Sequence, residues 1–496
     1  MQYFSQYEGW WDRPLPRGGR FSRTRSSPLH NSTGECMAGS EGYDVVVVGG
    51  GGAGLAAAVS AREAGASVLV AEAGAQVGGS TALSGGAFLA AGTAVQKAAG
   101  CEGDSAAEFY DYFLAVNRWD IEPSIVRRYC DEGAAAVQWL TDLGVEFPPG
   151  EIARGELERI PRLHRAAGGG AGIVAGLRSA CNRVGVDFAL GTRVTELVER
   201  DGVVVGVRAC DDELAAGSVI LTTGGFANNH ELVAEHIPSA RAVLDGLRSP
   251  APGTNLGDGL RMGLAVGAAT AGTDRAQVLL SAGLTSDIEP VLPGWLICVD
   301  ATGRRFVDET AHYHVMNPLT LEHGGTAWAI FDENACQEAR GSGSRFGAGM
   351  WTHEVLSHAA AGGQIPTAPD IPTLATRLGL PAAVLQTTID RYNADCAAGQ
   401  DTLFFKDAAR MVPCATAPFY GVPLRPTIMP VTGFGLRIDS DTRVLRAADN
   451  RPITGLYAAG EVVGNVVGRR VFSGGAMIAA GVIFGRHAGR VAAADH

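Results

Sequence analysis

Hydrophobic and polar positions settle into a regular pattern only from Tyr43 onward. There the chain reads YDVVVV, an apolar run that ends in glycines; then an Ala-rich stretch, GLAAAVSAREAG; then VLVAE, a second apolar run closing on Glu72. A glycine-rich loop, GAQVGGSTALSGG, follows. The pattern predicts strand, tight turn, helix, strand and loop, in that order. Gly49, Gly51 and Gly54 in the turn hold the GxGxxG spacing. Glycine at these places lets the backbone turn tightly, approach a pyrophosphate, and pack helix against strand without a Cβ in the way. A helix starting there aims its free N–H groups and positive dipole end at phosphates. Glu72 ends the next strand, about 20 residues on, where a carboxylate accepts the hydroxyls of an unphosphorylated adenosine ribose. With 68 glycines in the chain, the spacing alone would suit any turn. Strand before, helix after and acid at the right distance make it a dinucleotide site.

Over 105–143 apolar positions recur at helical spacing, with Phe109, Tyr112 and Phe113 followed by Val137, Leu140 and Leu143, and predict packing helices. A helix from about Gly172, a strand through Phe188, a hairpin at Asp201-Gly202 and a short buried strand ending in LTTGG come next. This order would close a sheet back on the nucleotide, with Thr192, Arg193 and Val194 meeting the adenine and Thr223, Gly224 and Gly225 the phosphates. From Thr273 the pattern changes to a hairpin, WLICVDATGRRFVDE with its turn at 301–303, then polar and Gly-rich segments, then a helix near 382–397. The nucleotide pattern returns at GLYAAGEVVGN, an apolar strand followed by Gly460 and Glu461. The chain therefore reads as α/β: a discontinuous Rossmann-like FAD-binding domain over 43–272 and 425–496, with an inserted α+β substrate (cap) domain over 273–424. A second domain closing over the flavin would form the substrate cleft, since ligand pockets favour domain interfaces. No second dinucleotide fingerprint is present, so NAD(P)H is not expected as a bound partner.

Composition narrows the class. At 496 residues the chain exceeds what one hydrophobic core usually fills. Charged residues at 19% and apolar ones at 46% describe a large, well-buried enzyme. A net charge of −12 argues against nucleic acid as a partner. No apolar run lacks glycine breaks and flanking charge, so no transmembrane segment is expected. The 9 cysteines are scattered, with no CxxC pair, which suits a reducing cytoplasm, small core residues and no metal site. Residues 1–42 carry Arg13, Arg17, Arg20, Arg23 and Arg25 among Ser, Pro and Gly and are expected to be a disordered extension. Met37, just before the first strand, makes a natural start there one hypothesis; a full-length intact mass of the natively expressed protein would refute it.

The motifs VVVVGGGGAGLA, VGGSTALSGG, LTTGGFANN, GTNLGDGLRMG, GRRFVDE, LYAAGEVVG and SGGAMIAAGVIFGRHAG together resemble FAD-dependent enzymes of the fumarate reductase and 3-ketosteroid dehydrogenase superfamily, over about 43–489. Within it, TALSGGAFLAAGT followed by AVQKAAG is most similar to the ketosteroid Δ4-type and cyclic-ketone dehydrogenases. Besides Gly49, Gly51, Gly54 and Glu72, the resemblance implies FAD contacts from Gly79, Ser80, Thr81, Ser84, Gly85, Gly86, Val194, Gly224, Gly225, Asp258, Gly460, Glu461 and the backbone of Ala476, Met477 and Ile478. No His, Cys or Tyr occupies an evident attachment position, so the FAD is expected to be non-covalent.

The resemblance also implies hydride movement between flavin N5 and the carbon β to a carbonyl, while a protein group moves the α proton. One residue must then polarise the carbonyl oxygen and another must exchange the proton. Tyr313, four positions beyond Glu309, falls near where family members carry a proton-transferring Tyr or Arg; the alternative is an aromatic packed under the cap. His312 and His314 flank it and would tune or replace it, or serve structure alone. Phe472 stands where ketosteroid dehydrogenases place a Tyr, and it cannot donate a hydrogen bond. Carbonyl polarisation then falls to the N–H groups of Gly474 and Gly475 at the start of the last helix, or to Ser473, which equally suits a helix cap. Arg469 and Arg470 sit where fumarate reductases carry a basic clamp, and a guanidinium fork matches a carboxylate; a salt bridge is the other reading. The histidines that grip a dicarboxylate are missing: DRAQVLL has none after Gln277, and Val466-Val467 replaces another, which disfavours fumarate. His164-Arg165, before a glycine run, is a further candidate for substrate contact.

The expected activity is an FAD-dependent dehydrogenase or reductase acting on the carbon–carbon bond next to the carbonyl of a 3-ketosteroid or other cyclic ketone, with quinone, oxygen or a reductase as external electron partner. One alternative is an enoate reductase or dehydrogenase on a carboxylic acid held by Arg470. Another is a non-catalytic flavoprotein that carries electrons.

Overall fold

The computed structural model describes residues 42–154, 159–284, 292–338, 351–469 and 475–495; the extension expected before Gly42 lies outside them. Contacts divide these described residues into two units, one drawn from 42–239, 250–277 and 430–495, the other from 240–249 and 278–429.

In the first unit the apolar runs become β1 (Tyr43–Val48) and β2 (Val68–Glu72), joined by α1 (Gly52–Glu63). Val45, Val46 and Val47 have no exposed surface, as a strand covered on both faces requires. The short pair β3 (Ala87–Leu89) and β4 (Leu163–Arg165) is antiparallel. Four strands follow: β5 (Asp187–Leu190), β6 (Glu196–Arg200), β7 (Val203–Ala209) and β8 (Asp212–Leu221). The parallel core runs β5, β2, β1, β8 and then the strand Pro452–Ala458, with Val45 opposite Val68 and Ser218, and Tyr457 opposite Ile220. Each Val-rich run thus finds another on either side.

The hairpin at Asp201-Gly202 forms, with φ of +55° and +79°, the left-handed pair that a two-residue turn needs. β8 is longer than the short strand expected from the sequence. Its first half alternates exposed and buried positions in a hairpin with β7, and only its second half is continuously apolar between β1 and Pro452–Ala458. The turn between β7 and β8 sits at Cys210 (φ +53°), which is exposed, so this cysteine is not the core residue the sequence suggested. The helices over 105–143 are Ala106–Val116 and Pro123–Asp142, and the helix expected from Gly172 begins at Gly169. The C-terminal helix, Ala476–Ala494, packs directly on α1. A Cβ at Gly485 or Gly489 would lie 2.2 Å from Ala53 O or 2.1 Å from Ala57 O, so glycine there sets the helix spacing.

In the second unit Ala327–Asp332 pairs antiparallel with Ile297–Val299 and with Phe419–Thr432. Its core packs Trp295, Phe331, Trp351 and Tyr420 together. The GRRFVDE hairpin makes its turn, with Gly303 N donating to Asp300 O, but its second arm is a single bridge from Val299 to Arg305. The chain then turns inward and buries charge. Arg305 donates to Glu309 (2.9 Å) and Asp401 (2.9 Å), and Lys406 Nζ donates to Glu309 Oε2 (3.0 Å) and Leu296 O (2.8 Å). Two cations and two anions cancel, which is how buried charge is tolerated. Helix Ala382–Ala398 lays Tyr392 over both cations. Among the described residues no helix is long and apolar enough to cross a membrane.

Candidate functional site

The turn after β1 is built around contacts that only glycine allows. Gly49 has φ +108°, and a Cβ on it would lie 2.4 Å from Thr222 O; one on Gly54 would lie 1.9 Å from Gly49 O. Gly51 is the opposite case, since its Cβ would meet nothing within 4 Å. Open space therefore lies at the mouth of α1. Gly51 caps that helix without a side-chain bond, and no acid stands in the first turn; apart from Gly52 N, which meets Thr81 Oγ1, this open helix end suits an anion.

Glu72 is 9% exposed, and its two oxygens accept the amides of Gly50 (2.7 Å) and Gly74 (2.6 Å). Each oxygen keeps a second lone-pair direction for a ribose hydroxyl. Thr192 N donates to Glu72 O (2.8 Å), which brings the segment of Arg193 and buried Val194 alongside. Gly79, Ser80 and Thr81 open a short helix, Gly79–Leu83, and Gly52 N donates to Thr81 Oγ1 (3.3 Å). Ser84 Oγ donates to Thr81 O and accepts from Gly86 N, closing the loop through Gly85.

A second group forms where β8 and Pro452–Ala458 end. Glu461 Oε1 accepts from Thr432 N (2.9 Å) and Thr432 Oγ1 (3.0 Å). Burial raises the pKa of this carboxyl, against the pull of bonds from Thr432, Gly225 and Asn255. A Cβ on Gly225 would sit 2.2 Å from Glu461 Oε1, and one on Gly224 2.9 Å from Asn255 Nδ2. Asn255 Oδ1 also accepts from Ala227 N. Asp258 meets Arg193 Nη2 at 2.7 Å. Gly460 takes φ +79°, and Gly475 begins the C-terminal helix with no side-chain cap, leaving the amides of Ala476, Met477 and Ile478 at its open end. Sequence reading had not singled out Asn255 and Thr432 individually. Asn255 lies in the GTNLGDG motif and was findable there; Thr432, alone in PVTGFG, carried no signal.

The remaining candidates fall differently. Tyr313 is 7% exposed and is the first residue of helix Tyr313–Glu322, with His312 as its N-cap. The ring of His312 lies 3.8 Å from that of Tyr313, and burial lowers the His312 pKa to about 4, so it is neutral at physiological pH. His314 N donates back to His312 Nδ1. Arg470, Phe472, Ser473 and Gly474 lie outside the described residues. Arg469 is exposed and donates to Asp274 O (3.3 Å). His164 is not a substrate group. Its Nδ1 lies 2.8 Å from Arg162 O, and its Nε2 2.7 Å from Thr93 Oγ1. Carbonyls only accept, so Nδ1 carries the hydrogen and Nε2 takes the Thr93 hydroxyl. Burial lowers the His164 pKa, and both ring nitrogens are used internally.

The glycine turn, the anchored Glu72 and the open helix ends match a dinucleotide with an unphosphorylated ribose, which fits FAD. A family model described as an FAD binding domain matches residues 44–477, and the chain belongs to that family. Its cofactor is FAD, and it is a flavoprotein of the fumarate reductase and 3-ketosteroid dehydrogenase superfamily. It is 32% identical over 467 residues to a probable fumarate reductase of Shewanella frigidimarina, covering 92% of this chain and 75% of that one. It is 30% identical over 482 residues to an NADH:fumarate oxidoreductase of Klebsiella pneumoniae, covering 94% of this chain. The chain spans about half, 49%, of the length of that relative. The solved 3-ketosteroid-Δ4-(5α)-dehydrogenase of Rhodococcus jostii, in complex with 4-androstene-3,17-dione, superposes with a TM-score of 0.75 at 29% identity, covering 91% of this chain and 96% of that one.

Proposed function

We propose that this protein introduces or reduces a carbon–carbon double bond next to a carbonyl. The observation that supports this most directly is likeness along nearly the whole chain both to a protein named for fumarate and to one named for a Δ4-ketosteroid. Those substrates share little except a carbon–carbon bond conjugated to a carbonyl. FAD, held non-covalently, supplies hydride transfer at N5.

The protein's own part is to move a proton and to hold the carbonyl. Tyr313 exchanges the α proton. Its phenolic hydroxyl can both donate and accept a proton, and the neutral His312 beside it adds no competing charge. The amide of Gly475, with Ser473 or Arg470 before it, steadies the oxygen where enolate charge develops. Glu72, Thr81, Asp258 and Glu461, with the glycine loops, orient the cofactor.

The substrate is a cyclic ketone of steroid type or an unsaturated acid, and the electron partner is external. Anaerobic bleaching of the flavin by saturated cyclic ketones and steroids, or reoxidation of reduced flavin by enones and enoates, tests the reaction. A protein whose flavin responds to none of these would be an electron carrier instead.

A further inference from the structure

Tyr129 stands on helix Pro123–Asp142 in the FAD-binding unit and has no exposed surface. Its hydroxyl donates to Leu89 O (2.9 Å) and lies 3.4 Å from Ala476 O. Leu89 is the last residue of β3, and its own amide donates to Gly475 O (3.1 Å). One strand residue therefore joins the tyrosine to the glycine that opens the C-terminal helix.

The support beneath that glycine is close and firm. A Cβ on Gly475 would lie 2.6 Å from Leu163 Cδ1 and 3.2 Å from Leu89 N, so the residue rests directly on the β3–β4 pair. Just past β3, Ala90 N donates to Arg162 O (3.1 Å). Gly133, one turn beyond Tyr129, faces Ala90, since a Cβ added to it would lie 3.4 Å from Ala90 Cβ. The Tyr129 ring packs with Phe109 (5.9 Å) and Phe113 (5.3 Å). These neighbours fix the direction of the ring, and the hydroxyl carries that direction to the backbone of Leu89.

We infer that Tyr129 is a positioning residue for the open end of the C-terminal helix: acting through Leu89, it sets where Gly475 and the amides after it stand before any ligand binds. Donors aimed at a ligand or at developing charge are effective when they need no reorganisation on meeting it. Gly475 has no side chain and makes no side-chain cap, so the helix end cannot hold itself, and the restraint comes from Leu89 and Tyr129. The inference rests on the role proposed above for the Gly475 amide and on that of the following amides toward FAD.

Tyr129→Phe keeps the ring and removes the hydroxyl. Hydrogen–deuterium exchange, read by peptide mass spectrometry, is expected to quicken several-fold over 87–90 and 475–480 while β1 and α1 exchange as in the parent. The FAD Kd, followed by flavin fluorescence, should rise about threefold or more. Gly475→Ala presses the same helix end away from Leu163 and should also weaken FAD binding. In the double variant the two fold-changes should fall short of their product, because both act on one contact. Exchange that quickens equally across the unit, fold-changes that multiply, or parental exchange over 475–480 would each reduce Tyr129 to packing and overturn the inference. Should Tyr129→Phe not fold, Gly475→Ala alone carries the test: exchange over 87–90 should quicken through the Leu89 bond, and parental exchange there overturns the link. If exchange and FAD Kd respond as expected but enones reoxidise reduced flavin at the parental rate in Tyr129→Phe, the positioning stands and the role of the Gly475 amide at the carbonyl falls.

Discussion

Glu461 takes two hydrogen bonds from one residue: the amide and the hydroxyl of Thr432 both donate to Oε1, at 2.9 and 3.0 Å. Oε1 is thereby committed to holding Thr432 against the Gly460 turn, and the Gly225 amide and the Asn255 side chain bond the same carboxylate, so Glu461 fixes the Gly224-Gly225 loop. Glu461→Gln keeps an Oε1 acceptor for Thr432 but replaces the other oxygen with a donor. The fold should survive by circular dichroism, while FAD dissociation, followed by fluorescence, should become about tenfold easier. An unchanged FAD Kd would remove Glu461 from the cofactor site.

Two glycines of the same turn should part company on substitution to alanine. At Gly54 a Cβ would meet a backbone oxygen at 1.9 Å, which cannot move aside, whereas at Gly51 it meets only open space. Gly54→Ala should lower thermal stability with or without flavin. Gly51→Ala should leave the apoprotein's melting temperature nearly unchanged and cost FAD affinity, because the space it fills is the one a pyrophosphate needs. Equal melting temperatures for both apo variants would contradict this.

Tyr313→Phe should lower turnover by roughly two or more powers of ten with flavin still bound, the usual scale of acid–base catalysis. Stopped-flow reduction of the flavin, with cofactor content measured alongside, separates this from a folding defect. Turnover near that of the parent would exclude Tyr313 from proton transfer.

His312 provides a pH signature. Burial lowers its pKa to about 4, below the unfolded value near 6.5, so the folded chain prefers the neutral ring. The stability it contributes is complete above pH 6.5 and is lost as pH falls from there to about 4. The melting temperature should decline across that window, and His312→Asn should flatten the decline.

Glu309 is wholly buried between Arg305 and Lys406. Glu309→Gln leaves two cations facing Asp401 alone and should cost about 3–5 kcal/mol in urea unfolding. A loss below about 1 kcal/mol would show that the remaining partners satisfy both cations.

Much of this molecule was legible in the chain because its signals are local. Strand, turn, helix, strand and acid lie within one short stretch, and each is dictated by neighbours: Val runs by burial on both faces, Gly49 by its positive φ, Glu72 by the amides of Gly50 and Gly74. The length of β8 was not legible, since its polar first half is a strand only because β7 lies beside it.

By itself, then, the sequence determined a dinucleotide turn, its FAD chemistry and the residues on both sides of the turn. Only the tertiary structure joined Thr432 to Glu461, fitted Tyr392 over the Arg305 and Lys406 cations, spent both nitrogens of His164 on Thr93 and Arg162, and set the Tyr129 hydroxyl on Leu89 O. The physical reason is range. Backbone conformation and periodic burial are written among adjacent residues, whereas whether a buried polar atom finds its partner depends on chain brought in from far along the sequence.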